Sequence, residues 1–251
     1  MTEYLEVAVR AARRAGKHLL EGMHRPLEVR EVTQHDVKLA LDVECETMIR
    51  EVLHRAYPDH ALLGEEEGGV LSPATPTWII DPLDGTVNYA HRLPHFCVSI
   101  ALQMGDTPLV GVVYAPVLDE LFTAEAGQGA YCNGAPLQVS ATPTLAEAAL
   151  AMGFAKSMET INLMMGDLNG LAHAVSKIRI LGAAALDLSF VAAGRLDGFL
   201  EYGLRTWDIA AASLIIQEAG GRVLRTPAGH HAWDVRADNG KLWAATDDAP
   251  G

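Results

Sequence analysis

Cysteine is scarce: Cys45, Cys97 and Cys132 are the only three in 251 residues. They are odd in number, widely spaced and free of any C-x-x-C pair, so neither a disulfide framework nor a thiolate zinc site is indicated. A reducing compartment, the cytoplasm, is the expectation. Basic charge is scarce too. The 19 Lys and Arg face 32 Asp and Glu, for a formal net charge of −13. Such a surface repels polyphosphates and anionic lipids alike unless a basic patch or a bound cation reverses the local field. No nucleic-acid partner and no membrane partner are expected. Long apolar runs are missing as well, no window approaching the roughly 18 residues of a membrane span. The opening stretch MTEYLEVAVRAARRAG puts Glu3 and Glu6 where a signal peptide carries basic residues. No G-x-S-x-G and no Walker-type Gly-rich lysine loop occurs, so serine-hydrolase and P-loop chemistry fall away. There is no internal repeat and no low-complexity tract.

What is present is an ordinary globular composition, 49% hydrophobic and 20% charged. The length suits one large domain or two closely packed lobes. Leu5, Ala8, Ala12, Ala15 and Leu19 recur at steps of three and four, with Arg10, Arg13, Arg14 and Lys17 between them. That spacing predicts an amphipathic helix ending near Gly22. A second helix is predicted from about Leu41 to Ala56, closed by Tyr57-Pro58-Asp59 because proline cannot continue the hydrogen-bond ladder. The period then shortens. Residues 78–80, 96–102, 109–114 and 121–124 predict buried strands, most simply in one antiparallel sheet. The segment Ser140 to Thr144 reads as a boundary between an N-terminal α+β lobe, 1–142, and a C-terminal α/β lobe, 143–251, which together make one domain. In the second lobe, helices near 161–175, 183–193 and 208–218 alternate with strands at 177–181, 198–202 and around 222–224.

The chemistry is concentrated in three segments. Asp81-Pro82-Leu83-Asp84-Gly85-Thr86 follows the apolar strand Thr77 to Ile80 directly. Two carboxylates three residues apart, with proline fixing the turn between them, suit a hard cation together with the Leu83 carbonyl. Gly85 and Thr86 then open a short helical turn whose free N–H groups suit a phosphate. Upstream, Gly64-Glu65-Glu66-Glu67 sets three acids in a glycine-rich loop, which on its own reads as a solvated turn. Downstream, Asp208 starts an apolar helix, where capping is the simplest role for a lone acid. His91 and His95 have the spacing of a helical zinc pair, but Pro94 interrupts any regular helix between them. His230-His231 reads as a loop.

Taken in order, Gly64-Glu65-Glu66, the run Asp81 to Asn88 and Trp207-Asp208-Ile209-Ala210-Ala211 resemble the signatures of the inositol monophosphatase family of metal-dependent, lithium-sensitive sugar phosphatases. Arg92 to Phe96, Gly182 to Ala185 and Glu218 to Gly221 support the match, which runs over nearly the whole chain. The resemblance implies a layered α/β (α+β) sandwich of αβαβα type with a metal site between its lobes. It implies that Glu66, Asp81 and the Leu83 carbonyl hold a first Mg2+, and Asp81, Asp84 and Asp208 a second. Glu65 is then a neighbour or a helper of a weaker third ion, giving two to three ions per subunit. Oxygen donors select Mg2+, and no Cys/His cluster competes. The catalytic residues it implies are Thr86, which orients the attacking water, Asp42, which holds Thr86, and Glu66. Gly85 and Thr86 bind phosphate; Asp84, Gly182, Ala183, Glu201 and Asp208 contact substrate. Read from the residues alone, Asp42 is equally an exposed acid at a helix start, and Glu201 equally a surface acid alternating with apolar strand residues.

The implied reaction is hydrolysis of a small phosphorylated polyol or sugar by metal-activated water, with inositol monophosphate first. Histidinol phosphate and fructose 1,6-bisphosphate are alternatives, and 3′-phosphoadenosine 5′-phosphate is the least favoured. A rival of another class is a regulatory protein-interaction module with a vestigial phosphatase site, since some relatives contact transcription machinery. A homodimer is a further implication. Three departures loosen the substrate assignment: Ala183 stands where Ser or Thr is common, Glu31 where Lys is frequent, and His35-Asp36-Val37-Lys38 where relatives read Asp-Leu-Val-Thr.

Overall fold

A computed structural model describes residues 2–26, 28–32, 37–154 and 157–243. His35 and Asp36 lie outside the described residues, as do the side chains of Glu31 and Lys38. The chain opens with α1 (Glu3–Gly22), where the Thr2 hydroxyl accepts the Leu5 N–H at 3.4 Å and Glu3 and Glu6 face the positive end of the helix dipole. Its buried face is the expected one, Leu5, Ala8, Ala12, Ala15 and Leu19. A ribbon of β1 (Val29–Val32) and β2 (Val37–Leu39) leads into α2 (Ala40–Ala56). There follow β3 (Ala61–Gly64), β4 (Gly68–Gly69), β5 (Thr77–Asp84), α3 (Thr86–Ala90) and β6 (Cys97–Met104). A run of β7 (Thr107–Ala115), β8 (Glu120–Glu125), β9 (Ala130–Cys132) and β10 (Ala135–Pro136) completes the first half. The second half comprises β11 (Ala149–Met152), α4 (Met158–Ala174), β12 (Lys177–Arg179), α5 (Ala184–Ala192) and β13 (Gly198–Arg205). It closes with α6 (Thr206–Glu218), β14 (Arg222–Gly229) and β15 (Ala232–Asp238).

These elements form five layers. Helices α1 and α2 cover one face of an eight-stranded sheet ordered β10-β9-β8-β7-β6-β5-β3-β4. Helices α5 and α6 fill the space between its other face and a five-stranded sheet ordered β12-β11-β13-β15-β14, and α4 covers the outside of that second sheet. The expected αβαβα sandwich is therefore present. Both inner interfaces are packed apolar cores. One joins Leu19, Ile49, Trp78, Ile80 and Phe96, the other Ile79, Phe122, Leu188, Phe199, Ile209 and Ile215.

Some expectations need correction. The first sheet is not wholly antiparallel, because β3 runs parallel to β5, Ala61 opposite Thr77 and Gly64 opposite Ile80. The strand expected at 177–181 stops at Arg179. Beyond it the Leu181 and Gly182 carbonyls turn to accept from the Asn88 side-chain amide, and Gly182 takes a positive φ of 83°. Helix α4 begins at Met158, three residues before the expected start, where Ser157 and Thr160 cap each other reciprocally. Strands β1 to β4, β9 to β11 and β15 are not among those expected. Ala-Leu-Ala-Met carries no alternation because β11 is buried between two parallel neighbours. His230-His231 is the turn joining β14 to β15.

Candidate active site

Strand β5 is buried at all eight residues, and its alternation is broken on purpose. Trp78 and Ile80 face the α1/α2 core and Ile79 the α5/α6 core. Strict alternation would put Leu83 with Ile79, yet Leu83 packs in the α1/α2 core. The pairing with β6 slips between Asp81 and Asp84, where Pro82 has no N–H to give the ladder. This bulge turns Asp81 and Asp84 to the same face, toward α5 and α6. Asp81 Oδ1 accepts the Leu83 N–H at 3.0 Å, and the Thr86 hydroxyl donates to the Leu83 carbonyl at 3.0 Å. Gly85, with φ of 90°, opens α3 as expected. A Cβ there would stand 3.0 Å from the His95 carbonyl and 3.1 Å from the Ala183 side chain, so both conformation and space require glycine.

Asp84 reaches across to α5. Its Oδ1 accepts the Ala184 N–H at 3.1 Å and its Oδ2 the Ala185 N–H at 2.7 Å, with Cys97 Sγ at 3.5 Å. These are the orphan donors of a helix start, and the dipole there favours the negative charge. Burial pushes the Asp84 carboxyl up, and the Ala185 N–H, the Cys97 thiol and His95 pull it back. Asp208 is not the N-cap of α6. It occupies the third helical position and its Oδ2 accepts the N–H of Arg205, the true N-cap, at 2.7 Å. Asp42 does the same at α2, accepting the Leu39 N–H at 2.9 Å. It is buried, so the reading of an exposed acid is corrected.

The acids influence one another. The Asp81 carboxyl is held well above the usual carboxylate range, first by burial, then by the negative charges of Glu65, Asp84 and Asp208. The Leu83 N–H offsets only part of this. Among the described residues no three His, Cys, Asp or Glu side chains already close around one point as a formed ion cage. The donor chemistry nonetheless fits a hard divalent cation, because the groups whose charge acts on Asp81 at the end of the buried strand, Glu65, Asp84 and Asp208, are all carboxylates.

Glu65 and Glu66 sit in the turn between β3 and β4, both half-buried, and the Glu65 N–H is tied to the Ile80 carbonyl at 3.2 Å. Ala183 is buried as the N-cap of α5. Asn88 binds the backbone on both sides of the site, donating to His95, Leu181 and Gly182. Glu201 lies half-buried on β13 above Gly153, where a Cβ would fall 1.9 Å from Glu201 Oε2. Its carboxylate therefore lies against the end of β11 and not out in solvent.

Two side chains beside the site escaped the sequence reading. Asp187, in the first turn of α5, pairs with His95 Nε2 at 2.7 Å, and burial pushes its carboxyl up to about 6. Glu46, fully buried on α2, accepts the Glu66 and Glu67 N–H groups at 2.7 and 3.1 Å. An Asp within the apolar, Ala-rich run Ala183 to Leu188 was a readable signal for the first. For Glu46 the only clue was its place on the inner face of α2, one turn after Asp42.

The family model that matches, over residues 1–247, is described as the inositol monophosphatase family. Among curated relatives, "Nus factor SuhB" of Pasteurella multocida is 42% identical over 234 residues, covering 92% of this chain and 88% of its own length. "Inositol monophosphatase 1" of Solanum lycopersicum is 41% identical over 236 residues, covering 91% and 86%. Among solved structures, extragenic suppressor protein suhB from Bartonella henselae superposes with a TM-score of 0.89 at 36% identity, covering 96% of this chain and 95% of that one. Inositol monophosphatase from Anabaena (Nostoc) sp. PCC 7120 gives 0.84 at 39% identity, covering 95% and 91%.

Proposed function

The chain belongs to the inositol monophosphatase family, a family of phosphatases, and we propose that it hydrolyses a small phosphate monoester with Mg2+, inositol monophosphate first. The observation that carries this reading is the charge at the site. A buried Asp81 surrounded by Glu65, Asp84 and Asp208 repels a phosphate unaided, and suits one held through cations. In this reading Glu66, Asp81 and the Leu83 carbonyl would hold one ion and Asp81, Asp84 and Asp208 another, with Glu65 beside a weaker third. When bound, Mg2+ would offset the phosphate charge and act on it as a Lewis acid.

The chain's own residues then have separate tasks. Because the Thr86 hydroxyl donates to the Leu83 carbonyl, its lone pairs accept a hydrogen from water and aim that water at phosphorus. Asp42 steadies Thr86 from the buried start of α2, and Glu66 borders the water. Gly85 and Thr86 offer first-turn N–H groups to the phosphate oxygens. Glu201 accepts hydroxyls of the polyol, with Gly182 and Ala183 beside it and Asp84 and Asp208 on the reacting side. Water attacks in line, with no phosphoenzyme. Histidinol phosphate and fructose 1,6-bisphosphate are the alternative substrates, since Ala183 offers no hydroxyl. The two-lobe division at 142/143 belongs to the same proposal and is supported by the passage from the first sheet to the second between β10 and β11.

A homodimer in the cytoplasm, inhibited by lithium, completes the proposal. It is supported by family membership, by cysteines that are all unpaired, and by the lack, among the described residues, of any helix long and apolar enough to cross a membrane. A second reading is favoured by one observation, that several of the most similar relatives are named Nus factor SuhB. It is a regulatory protein-interaction role with the phosphatase site vestigial. The test is phosphate release from a panel of monoesters with Mg2+ and with chelator. Release only with Mg2+ supports the enzyme, and its ranking identifies the substrate. No release above the chelated control overturns it in favour of the second reading.

A further inference from the structure

A buried ion pair on α2, Glu46 with Arg50, lies against the backbone of the acidic loop. Glu46 is fully buried on α2, and both its oxygens are used on the β3–β4 turn and its own helix. Oε2 accepts the Glu66 N–H at 2.7 Å; Oε1 accepts the Glu67 N–H at 3.1 Å and Arg50 Nε at 2.7 Å, one helical turn on. Arg50 continues the grip: its Nη2 donates to the Gly68 carbonyl at 2.6 Å, and Nε lies 3.4 Å from Glu67 Oε2. The pair thus holds two N–H groups and one carbonyl of the same turn.

The fit is close. A Cβ on Gly64 would stand 2.1 Å from Glu46 Oε1, so only glycine lets the carboxylate reach the turn. A buried carboxylate without compensation is strongly disfavoured; Arg50 supplies part of the compensation from the same helix, and the two N–H groups supply the rest only while the turn keeps its shape. The Arg50 guanidinium at 2.7 Å already neutralises this carboxylate, which makes Glu46 a poor cation ligand and different in kind from Glu65 and Glu66 although it adjoins them.

We propose that Glu46 and Arg50 are positioning residues that set the backbone of residues 65–68 so that Glu66, with Glu65, is held ready at the cation site before an ion arrives. This rests on the reading of Glu66 as a Mg2+ ligand. Partners of this kind orient metal ligands, and their loss typically costs about 10- to 100-fold in metal affinity. The interaction acts through loop order and not through charge at the phosphate. Glu46→Gln therefore raises the Mg2+ requirement while leaving kcat at saturating Mg2+ within about threefold.

Two measurements on the full chain test this. Calorimetric Mg2+ titration of Glu46→Gln is expected to give affinity lower by about 10- to 100-fold. Amide hydrogen exchange without metal is expected to speed up by more than about tenfold at Glu66 and Glu67, with the α2 amides unchanged. Gly64→Ala pushes the carboxylate away without removing it and is expected to do the same; it decides the matter if Glu46→Gln does not fold. Arg50→Lys, which keeps the charge but lacks the guanidinium fork whose separate nitrogens reach Glu46 and Gly68, is expected to fall between. Glu66→Gln is the control: weak Mg2+ binding with normal exchange at 66 and 67. Unchanged exchange in both Glu46→Gln and Gly64→Ala overturns the inference, as does faster exchange with undiminished Mg2+ affinity while Glu66→Gln has lost it. Full affinity in Glu66→Gln instead overturns the ligand reading, and with it the purpose assigned to the pair.

Discussion

His95 Nε2 lies 2.7 Å from Asp187 Oδ1, joining the segment before β6 to the first turn of α5. Both ends matter to the site, because the same turn supplies the Ala184 and Ala185 N–H groups to Asp84. Burial raises the Asp187 carboxyl from 3.8 to about 6, even though the His95 hydrogen bond and charge pull it down. Between these values the folded protein holds a proton that the unfolded chain has released. The contribution is complete below the unfolded value and is lost as pH rises through the folded one. Urea denaturation of the metal-free protein from pH 4 to pH 7 is expected to show stability falling as pH rises over that window. In Asp187→Asn the fall is shallower. Parallel curves for the two proteins would count against the shift.

Asp208→Asn separates capping from ligation. Asparagine keeps an oxygen for the Arg205 N–H, so α6 keeps its start and loses only the charge–dipole contribution, about 0.3–1 kcal/mol. Loss of the charge facing Asp81 is expected to lower phosphatase activity at limiting Mg2+ by at least roughly 100-fold. Thermal unfolding and an Mg2+ titration of turnover measure the two effects independently. Near-normal turnover would mean that Asp208 serves the helix alone.

Substrate choice is expected to depend on Glu201 and on the glycine beneath it. Glu201→Gln keeps the shape but donates where it accepted, which should reorder a panel of polyol phosphates and leave Mg2+ affinity unchanged. Gly153→Ala puts a Cβ 1.9 Å from Glu201 Oε2 and displaces the carboxylate, so it should reorder the panel in the same direction. An unchanged ranking of kcat/KM in both variants would remove Glu201 from the pocket.

Much of this was readable because the informative residues sit where local rules are broken. Asp-Pro-Leu-Asp-Gly-Thr interrupts a buried strand with two charges and a proline, and the fold answers with a bulge that turns both acids to one face. The helix pattern of α1 was readable because one face is buried and the other solvated. What was not readable depends on distant contacts. β11 carries no alternation, and β12 ends early because Asn88, far away in sequence, takes the Leu181 and Gly182 carbonyls. Glu46 looks like any acid on a charged helix until the turn at 66–67 is seen to donate into it.

The Glu46→Gln comparison bears on how the loop is held, and the monoester panel on which substrate is taken. The central claim, that the acids at the end of β5 with Glu66 and Asp208 form a cation site, is tested most directly by anomalous diffraction from crystals soaked in Mn2+, which accepts the same oxygen donors as Mg2+. One peak is expected among Glu66, Asp81 and the Leu83 carbonyl and a second among Asp81, Asp84 and Asp208, both lost with chelator. Peaks that fall elsewhere, or none at a Mn2+ concentration that saturates activity, would contradict it.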